Sequence, residues 1–233
     1  MRRIPVTLTL IVAILLVFFY QLRVAAMTHE GPAWSALMAT SDEDVLQESG
    51  AAFVGMNLRT DWWRLIASIF LHAGVIHLAF NLLALFSIGR LLETLFGPAV
   101  MSLSFAFGGV VSGLAILIQP HSASEPLLFV GASGAIFSLA GTLLVAARRV
   151  WHIERALWSR SLSSRLVGCL AFNLGLGLVV SAIATWTGMS FVIANTAHVA
   201  GLVAGVLVGW LPLRLRQDDV ANNLIRLFEP PPP

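Results

Sequence analysis

The chain has 233 residues, of which 58% are hydrophobic and only 11% charged, and its formal net charge is +2. Soluble domains have about 45–50% apolar and about 25% charged residues, so a chain with so little charge could not cover its surface in water. The same numbers and a mean hydropathy of +0.85 exclude intrinsic disorder, which needs low hydrophobicity and high charge. The composition therefore predicts an integral membrane protein.

Six apolar segments have the length of transmembrane helices or come close to it. A hydrocarbon core about 30 Å thick needs about 20 residues of helix. The segments cover about residues 6–26, 76–95, 98–118, 133–147, 166–186 and 194–213. We therefore expect an all-α, polytopic membrane protein, a bundle of six transmembrane helices in which the central fourth helix is short.

The first segment has a second interpretation. Two arginines at 2–3, an apolar stretch and the sequence Val-Ala-Ala at 24–26 together resemble a secretory signal peptide with its cleavage site. The apolar stretch is long for such a peptide, and Arg23 lies within the region where cleavage would occur. A retained first helix is the favoured interpretation.

The arginines predict the orientation, because cytoplasmic loops carry an excess of positive residues. Arg residues precede the first predicted helix, form a group of five between the fourth and fifth, and follow the sixth. The segment between the first two helices is acidic and contains Trp34, Trp62 and Trp63, a residue type favoured at the membrane interface. We expect both termini in the cytoplasm of a plasma (inner) membrane, and a partly helical outer loop in the headgroup layer.

Polar residues inside the predicted helices indicate a site, since polar groups are costly at membrane depth. The second helix carries His72, His77 and Asn81 near its outer end, the fourth begins at Ser133, and the sixth carries His198. Ser133, His77 and His198 each lie about 22–24 Å from the inner end of their predicted helix, so the three residues are at nearly one depth. Polar groups from three helices at one depth predict a functional cluster.

Small residues predict that the fourth and sixth helices pack closely. Gly201 and Gly205 share the helix face of His198, and the fourth helix repeats small residues from Gly134 onward. Such spacing lets membrane helices approach each other. If these two faces meet, Ser133 and His198 meet as well. A further residue of the sixth helix, Asn195, is expected to cap its start.

Nucleophilic chemistry fits this set of residues. A serine hydroxyl attacks once a base removes its proton, and His198 is the candidate base for Ser133. Free N–H groups at a helix start favour negative charge, and His77 and Asn81 would donate further hydrogen bonds to an oxyanion. No carboxylate lies near His198 in the sequence, so we expect a dyad. The single Cys169 predicts no disulfide, and no metal or cofactor is expected.

These residues resemble the rhomboid family of intramembrane serine proteases over about residues 63–209. The matching pieces are Trp63-Arg64, His72, the run His77 to Asn81, Gly89, Glu93, Gly97, the run Gly131 to Gly134, the run Ala197 to Gly201, and Gly205. The resemblance implies a dyad of Ser133 and His198, with an oxyanion hole from His77, Asn81 and the Ser133 N–H. It also implies a cavity open to the outside and cleavage of transmembrane substrates near their outer ends. Trp63-Arg64 and Glu93 match structural positions.

One position departs from the family pattern. Many relatives carry Tyr four residues after the serine, stacked on the catalytic histidine, whereas this chain has Phe137. The phenyl ring can still stack, so we expect the dyad geometry to survive without the hydroxyl. The expected supporting residues are His72, Gly131, Gly134, Phe137 and Gly201.

The chain then divides into four parts. These are a cytoplasmic N-terminus with the first transmembrane helix (1–26), an outer interfacial loop (27–75), a catalytic five-helix remainder (76–213) and a cytoplasmic Pro-rich tail (214–233). The expected partners are the lipid bilayer and transmembrane protein substrates. Nucleic-acid binding is not expected, because the arginines form no basic stripe interleaved with aromatic residues. Two other functions stay open: a rhomboid-like pseudoprotease that binds transmembrane helices, and a transporter or proton channel with a histidine relay.

Overall fold

A computed structural model describes residues 4–28, 33–118, 127–149, 168 and 195–211. The helices in this part are α1 (Pro5–Thr28), α2 (Ala33–Ala39), α3 (Glu43–Ser49), α4 (Leu58–Asp61), α5 (Trp63–Phe70), α6 (Gly74–Ala84), α7 (Arg90–Phe96), α8 (Pro98–Ile116), α9 (Ser133–Arg149) and α10 (Asn195–Trp210). A π-helical turn (Leu85–Gly89) joins α6 to α7, and two short strands are β1 (Ala52–Phe53) and β2 (Leu128–Phe129).

Three helical stretches of the described chain are long and apolar enough to cross a membrane. They are Pro5–Thr28, Gly74–Phe96 and Pro98–Ile116, and two shorter apolar helices follow at Ser133–Val145 and Asn195–Trp210. These five stretches coincide with five of the six predicted segments. The predicted fifth helix at 166–186 lies, except for residue 168, outside the described residues, as do most of the arginine-rich loop and the Pro-rich tail.

Helix α9 is deeply buried between its neighbours. Its residues 134–143 are all buried, and it packs between α8 and α10. Hydroxyl groups bridge the three helices: Ser138 Oγ donates to the carbonyl of Ser104 over 2.8 Å, and Thr142 Oγ1 lies 3.0 Å from both Ser104 Oγ and the Gly205 carbonyl. We call the residues Ser104, Ser138, Thr142 and Gly205 the helix seam.

Helix α1 is tied at both ends to the chain segment of the second predicted helix. At its start, the Glu93 carboxylate accepts from the N–H groups of Val6 and Thr7 and from Thr7 Oγ1, over 2.7–2.9 Å. These N–H groups have no partner within the helix, so Glu93 caps α1, in keeping with the structural place that the family resemblance gives it. Seven residues before the C-terminal end of α1, Gln21 binds the backbone of His72. Thr7 and Gln21 are both fully buried.

The outer loop is partly helical, as predicted, and contains α2 to α5. One of its features was not predicted by an all-α interpretation: β1 pairs antiparallel with β2, with Ala52 opposite Phe129 and Phe53 opposite Leu128. Arg64 braces the loop by donating from Nη1 to the carbonyls of Gln47 and Ala51 over 2.9 and 3.1 Å. The pairing ties this loop to the segment that leads into α9.

The second predicted helix differs from the prediction in two ways. It begins at Gly74, so His72 precedes the helix instead of lying within it. It is also not continuous, because the π-helical turn interrupts it at Leu85–Gly89. A π-helical turn inserts an extra residue per turn and leaves no clear trace in apolar periodicity.

Candidate functional site

Ser133 is the first residue of α9 and follows a tight turn in the chain. Gly131 has φ +115°, a conformation that residues with a side chain rarely adopt, and its N–H donates to the Ser68 carbonyl over 2.8 Å. A Cβ at Gly131 would lie 2.7–2.8 Å from the His77 ring atoms Cε1 and Nε2. Glycine at this position therefore lets the His77 ring approach the loop that presents Ser133.

Ser133 and His198 are in contact, as the packing of small residues predicts. His198 Nε2 lies 2.7 Å from Ser133 Oγ. Helices α9 and α10 approach this closely because glycines face each other: a Cβ at Gly201 would overlap the Gly134 carbonyl oxygen. A Cβ at Gly134 would in turn overlap the hydroxyl of Ser112 on α8. Three helices thus converge at the residue that directly follows the serine.

The face of the His198 imidazole stacks on an aromatic ring. The Phe137 ring lies parallel to the imidazole, with centroids 4.6 Å apart and planes 2° apart. Both side chains are buried. His198 Nδ1 has no hydrogen-bond partner among the described residues, so in this part of the chain the ring is oriented by packing and by Ser133.

His77 is oriented by the backbone that precedes its own helix. The Ala73 N–H donates to His77 Nδ1 over 3.3 Å. A neutral imidazole has one donor and one acceptor nitrogen, so an accepting Nδ1 leaves the proton on Nε2. Nε2, together with Cε1, forms the edge of the ring that lies against Gly131. The ring therefore presents an N–H donor toward the loop that carries Ser133.

Asn81 shares the helix face of His77 four residues earlier. Its Nδ2 donates to the His77 carbonyl over 2.9 Å, and its Oδ1 is buried without a partner in the described part of the chain. The amide uses one of its two N–H groups in this contact, and the described residues offer the second no partner.

His72 is fully buried beside His77. Its ring centroid is 5.2 Å from that of His77, and its Nδ1 lies 3.1 Å from the Phe70 carbonyl. Burial, reinforced by the neighbouring His77, lowers the pKa of His72 to about 3. The ring is therefore neutral at physiological pH and adds no charge behind His77.

Two outcomes differ from the sequence predictions. Asn195 is the first residue of α10, and its buried Oδ1 has no hydrogen-bond partner within the described ranges, so the expected capping bond is not formed. Gln21 and the Ala73 N–H were missed. Gln21 could have been found, because an amide in an apolar helix carries the same signal as His77. A backbone N–H leaves no sequence signal.

Comparison with known proteins points to one family. The model of the Rhomboid domain matches residues 59–215. The chain is 31% identical over 166 residues to Rhomboid protease GluP of Bacillus subtilis (strain 168), a match that covers 71% of this chain and 29% of GluP. It is 31% identical to RHOMBOID-like protein 1 of Arabidopsis thaliana, over 76% of this chain and 42% of that protein. It is 28% identical to Rhomboid protease AarA of Providencia stuartii, over 95% of this chain and 79% of AarA.

Proposed function

This chain belongs to the rhomboid family and is a multi-pass membrane protein, and we propose that it is an intramembrane serine endopeptidase. It cleaves transmembrane segments of other membrane proteins near their outer ends. The observation that carries the proposal is the 2.7 Å contact between Ser133 Oγ and His198 Nε2. A serine needs such a base before its hydroxyl can attack. The names of the relatives GluP and AarA as proteases give family-level support.

In the first step, His198 Nε2 takes the proton of Ser133 as Oγ attacks the scissile carbonyl. The stacked Phe137 ring keeps the imidazole in the plane that this transfer needs. His198 then protonates the leaving amine, which departs with the C-terminal part of the substrate. Water hydrolyses the acyl-enzyme by the reverse sequence, with His198 again as the base.

The tetrahedral oxyanion is stabilised by three donors. Ser133 is the first residue of α9, so its N–H has no partner within the helix and lies in the positive field of the helix start. His77 adds its Nε2–H, and Asn81 adds the second N–H of its amide. Donors fixed in a water-poor site act more strongly than the same donors in water.

The protein is proposed to lie in the plasma membrane with both termini in the cytoplasm. The arginine distribution supports this orientation, and it places Ser133 and His198 toward the outer face, from which water reaches the acyl-enzyme. Expected substrates are transmembrane proteins whose helices unwind locally, because a helical peptide bond is shielded from attack. Neither step of the proposed reaction uses a metal or an organic cofactor.

The test measures cleavage of a generic transmembrane substrate and labelling by a fluorophosphonate probe, on full-length protein purified in detergent. We expect wild type to cleave and to be labelled. Ser133→Ala and His198→Ala should each lower kcat by at least about 10⁴-fold, as removal of nucleophile or base does elsewhere. The matched control is Ser138→Ala on the same helix, whose hydroxyl donates to the Ser104 carbonyl and should not affect kcat.

Four outcomes would count against the proposal. Cleavage that survives Ser133→Ala would remove the nucleophile. Folded wild-type protein that neither cleaves nor is labelled, but binds the substrate helix, would favour a rhomboid-like pseudoprotease. Histidine-dependent transport in sealed vesicles, without cleavage, would favour a transporter or proton channel. Loss of activity in Ser138→Ala as well would show that the substitutions act through packing.

A further inference from the structure

Gln21 forms a paired hydrogen bond with the backbone of a single residue. Its Nε2 donates to the His72 carbonyl over 3.1 Å, and its Oε1 accepts from the His72 N–H over 3.0 Å. Gln21 and His72 are both fully buried. The amide side chain therefore satisfies both backbone groups of His72, in the way that a neighbouring strand would.

The residue that follows His72 forms a tight turn. Ala73 has φ −79° and ψ 80°, and the Gly74 N–H donates to the His72 carbonyl over 3.0 Å. These are the features of an inverse γ-turn centred on Ala73. Gly74 continues the turn with φ +88°, which favours glycine. The turn ends where α6 begins, so its position sets the start of the helix that carries His77.

The turn also presents one N–H group to the site. The Ala73 N–H is directed at His77 Nδ1, at 3.3 Å, and this contact leaves the imidazole proton on Nε2. If Nδ1 carried the proton instead, Nε2 would become an acceptor and would repel an oxyanion. Gln21 is thus linked to the tautomer of His77 by two successive contacts. Gln21 binds the His72 backbone, and the next N–H, that of Ala73, binds His77 Nδ1.

We propose that Gln21 is a positioning residue: by clamping the His72 backbone it fixes the γ-turn at Ala73, whose N–H holds His77 as the Nε2–H tautomer that donates to the oxyanion. The inference rests on the proposed protease function for its kinetic consequence. Its structural half, the tautomer of His77, does not depend on activity. The first transmembrane helix thereby contributes to the site without touching the substrate.

The first readout is the tautomer itself. Full-length protein labelled with ¹⁵N-histidine is studied by NMR in detergent, and the His77 ring signals are assigned by their absence in His77→Leu. We expect Nε2–H in wild type. Gln21→Met, which keeps the side-chain length but removes both hydrogen bonds, should populate the Nδ1–H form. A second perturbation replaces the amide at position 73 by an ester, using the α-hydroxy analogue of alanine. The ester removes the Ala73 N–H and weakens the His72 carbonyl as an acceptor, while the Gln21 side chain stays in place.

The second readout is kinetic. Gln21→Met and the ester at position 73 should each lower kcat and the rate of fluorophosphonate labelling by about 10-fold, the value of one lost hydrogen bond. KM should change by less than about 2-fold, because the substrate does not touch Gln21. The matched control is Thr7→Val, which removes a bond at the other end of α1, about 21 Å away. It should lower the thermal midpoint but leave kcat unchanged.

Wild-type kcat and an unchanged His77 tautomer in both perturbed proteins would overturn the inference. Equal losses of kcat in Gln21→Met and Thr7→Val would also overturn it, because the effect would then be general loosening of α1. If Gln21→Met does not fold, the tautomer and kcat of the ester variant at position 73 test the inference, because that variant keeps Gln21. Wild-type protein that shows the Nε2–H tautomer but neither cleaves nor is labelled would contradict the proposed protease function. It would also contradict the predicted effect of Gln21 on kcat.

Discussion

The helix seam and the site around Ser133 both bring polar groups of α9 and α10 together, and the seam hydroxyls of α9 lie about 7–14 Å from Ser133 along that helix. In the seam, Ser104 donates to the Val100 carbonyl, Ser138 to the Ser104 carbonyl, and Thr142 Oγ1 lies within 3.0 Å of the Gly205 carbonyl. At the site, within the described residues, His198 Nδ1, His72 Nε2 and Asn81 Oδ1 are buried without partners.

Buried polar groups are normally paired, and each exception calls for an explanation. The seam follows this rule, as expected of hydroxyls that join membrane helices. The site departs from it on three side chains at once, at the level where Ser133 meets His198. The difference indicates separate roles. The seam holds the helices together, whereas the unpaired polar atoms of the site can form hydrogen bonds with a ligand or with water.

The largest expected effect lies between the seam and the site, at Gly201. A Cβ there would overlap the Gly134 carbonyl oxygen and lie 2.7 Å from Ser112 Oγ, so Gly201→Val should prevent α9 and α10 from packing. We expect no folded protein in size-exclusion chromatography and thermal unfolding. The control is Val203→Ile, at a half-exposed position on the other side of α10, which should fold normally. A folded Gly201→Val variant would contradict this account of the interface.

The next effect tests the site alone. Asn81→Ala should lower kcat by about 10²–10³-fold, the usual loss for one oxyanion donor. It should hardly change the thermal midpoint, because within the described part of the chain the amide bonds to a carbonyl of its own helix. Ser87→Ala is the matched control, since Ser87 Oγ makes the same kind of contact with the Leu83 carbonyl. A thermal midpoint that falls with Asn81→Ala while kcat holds would make Asn81 a structural residue.

The seam should give the opposite result. Thr142→Val keeps the shape of a fully buried side chain and removes its hydroxyl. We expect the free energy of unfolding to fall by about 0.6–1.7 kcal/mol, the range for hydrogen bonds between membrane helices. The kcat of the folded fraction should stay within about 2-fold of wild type. Thermal unfolding measures the stability, and initial rates at low temperature measure kcat. A loss of kcat without a loss of stability would contradict a purely structural role of the seam.

The smallest effect concerns the stacked ring. Phe137→Leu removes the parallel contact with His198 but keeps an apolar side chain. Aromatic pairs contribute about 0.5–1.5 kcal/mol beyond burial, so kcat should fall by about 2- to 10-fold. Phe137→Tyr restores the family pattern and should stay within about 2-fold of wild type. A loss of 10³-fold in Phe137→Leu would mean that the ring does more than orient the imidazole.

Much of the fold could be predicted from apolar segment length. The first predicted helix, 6–26, is observed at Pro5–Thr28, and the third, 98–118, at Pro98–Ile116. The pairing of β1 with β2 could not be predicted, because two residues carry no periodicity and their partners lie 75 or more positions away. The π-helical turn was missed for the related reason that the apolar pattern runs through it.

The contact at the heart of the site was predictable because it follows from small residues at regular spacing. The approach of Gly134 and Gly201 brings Ser133 and His198 together, and the spacing of these glycines is visible in the sequence. The clamp of Gln21 on His72 was not predictable in the same way. A side chain that binds backbone groups 51 residues away depends on how α1 and the segment between α5 and α6 meet in three dimensions.

The order of the helices has a consequence during synthesis. Ser133 is made 65 residues before His198, and at about 5–20 residues per second the gap lasts about 3–13 s. During that interval α9 has no α10 to pack against, and the proposed nucleophile has no base. Under the proposed mechanism, a nascent chain that lacks α10 would therefore not cleave neighbouring membrane proteins, and Ser133 would become reactive only once α10 has been made.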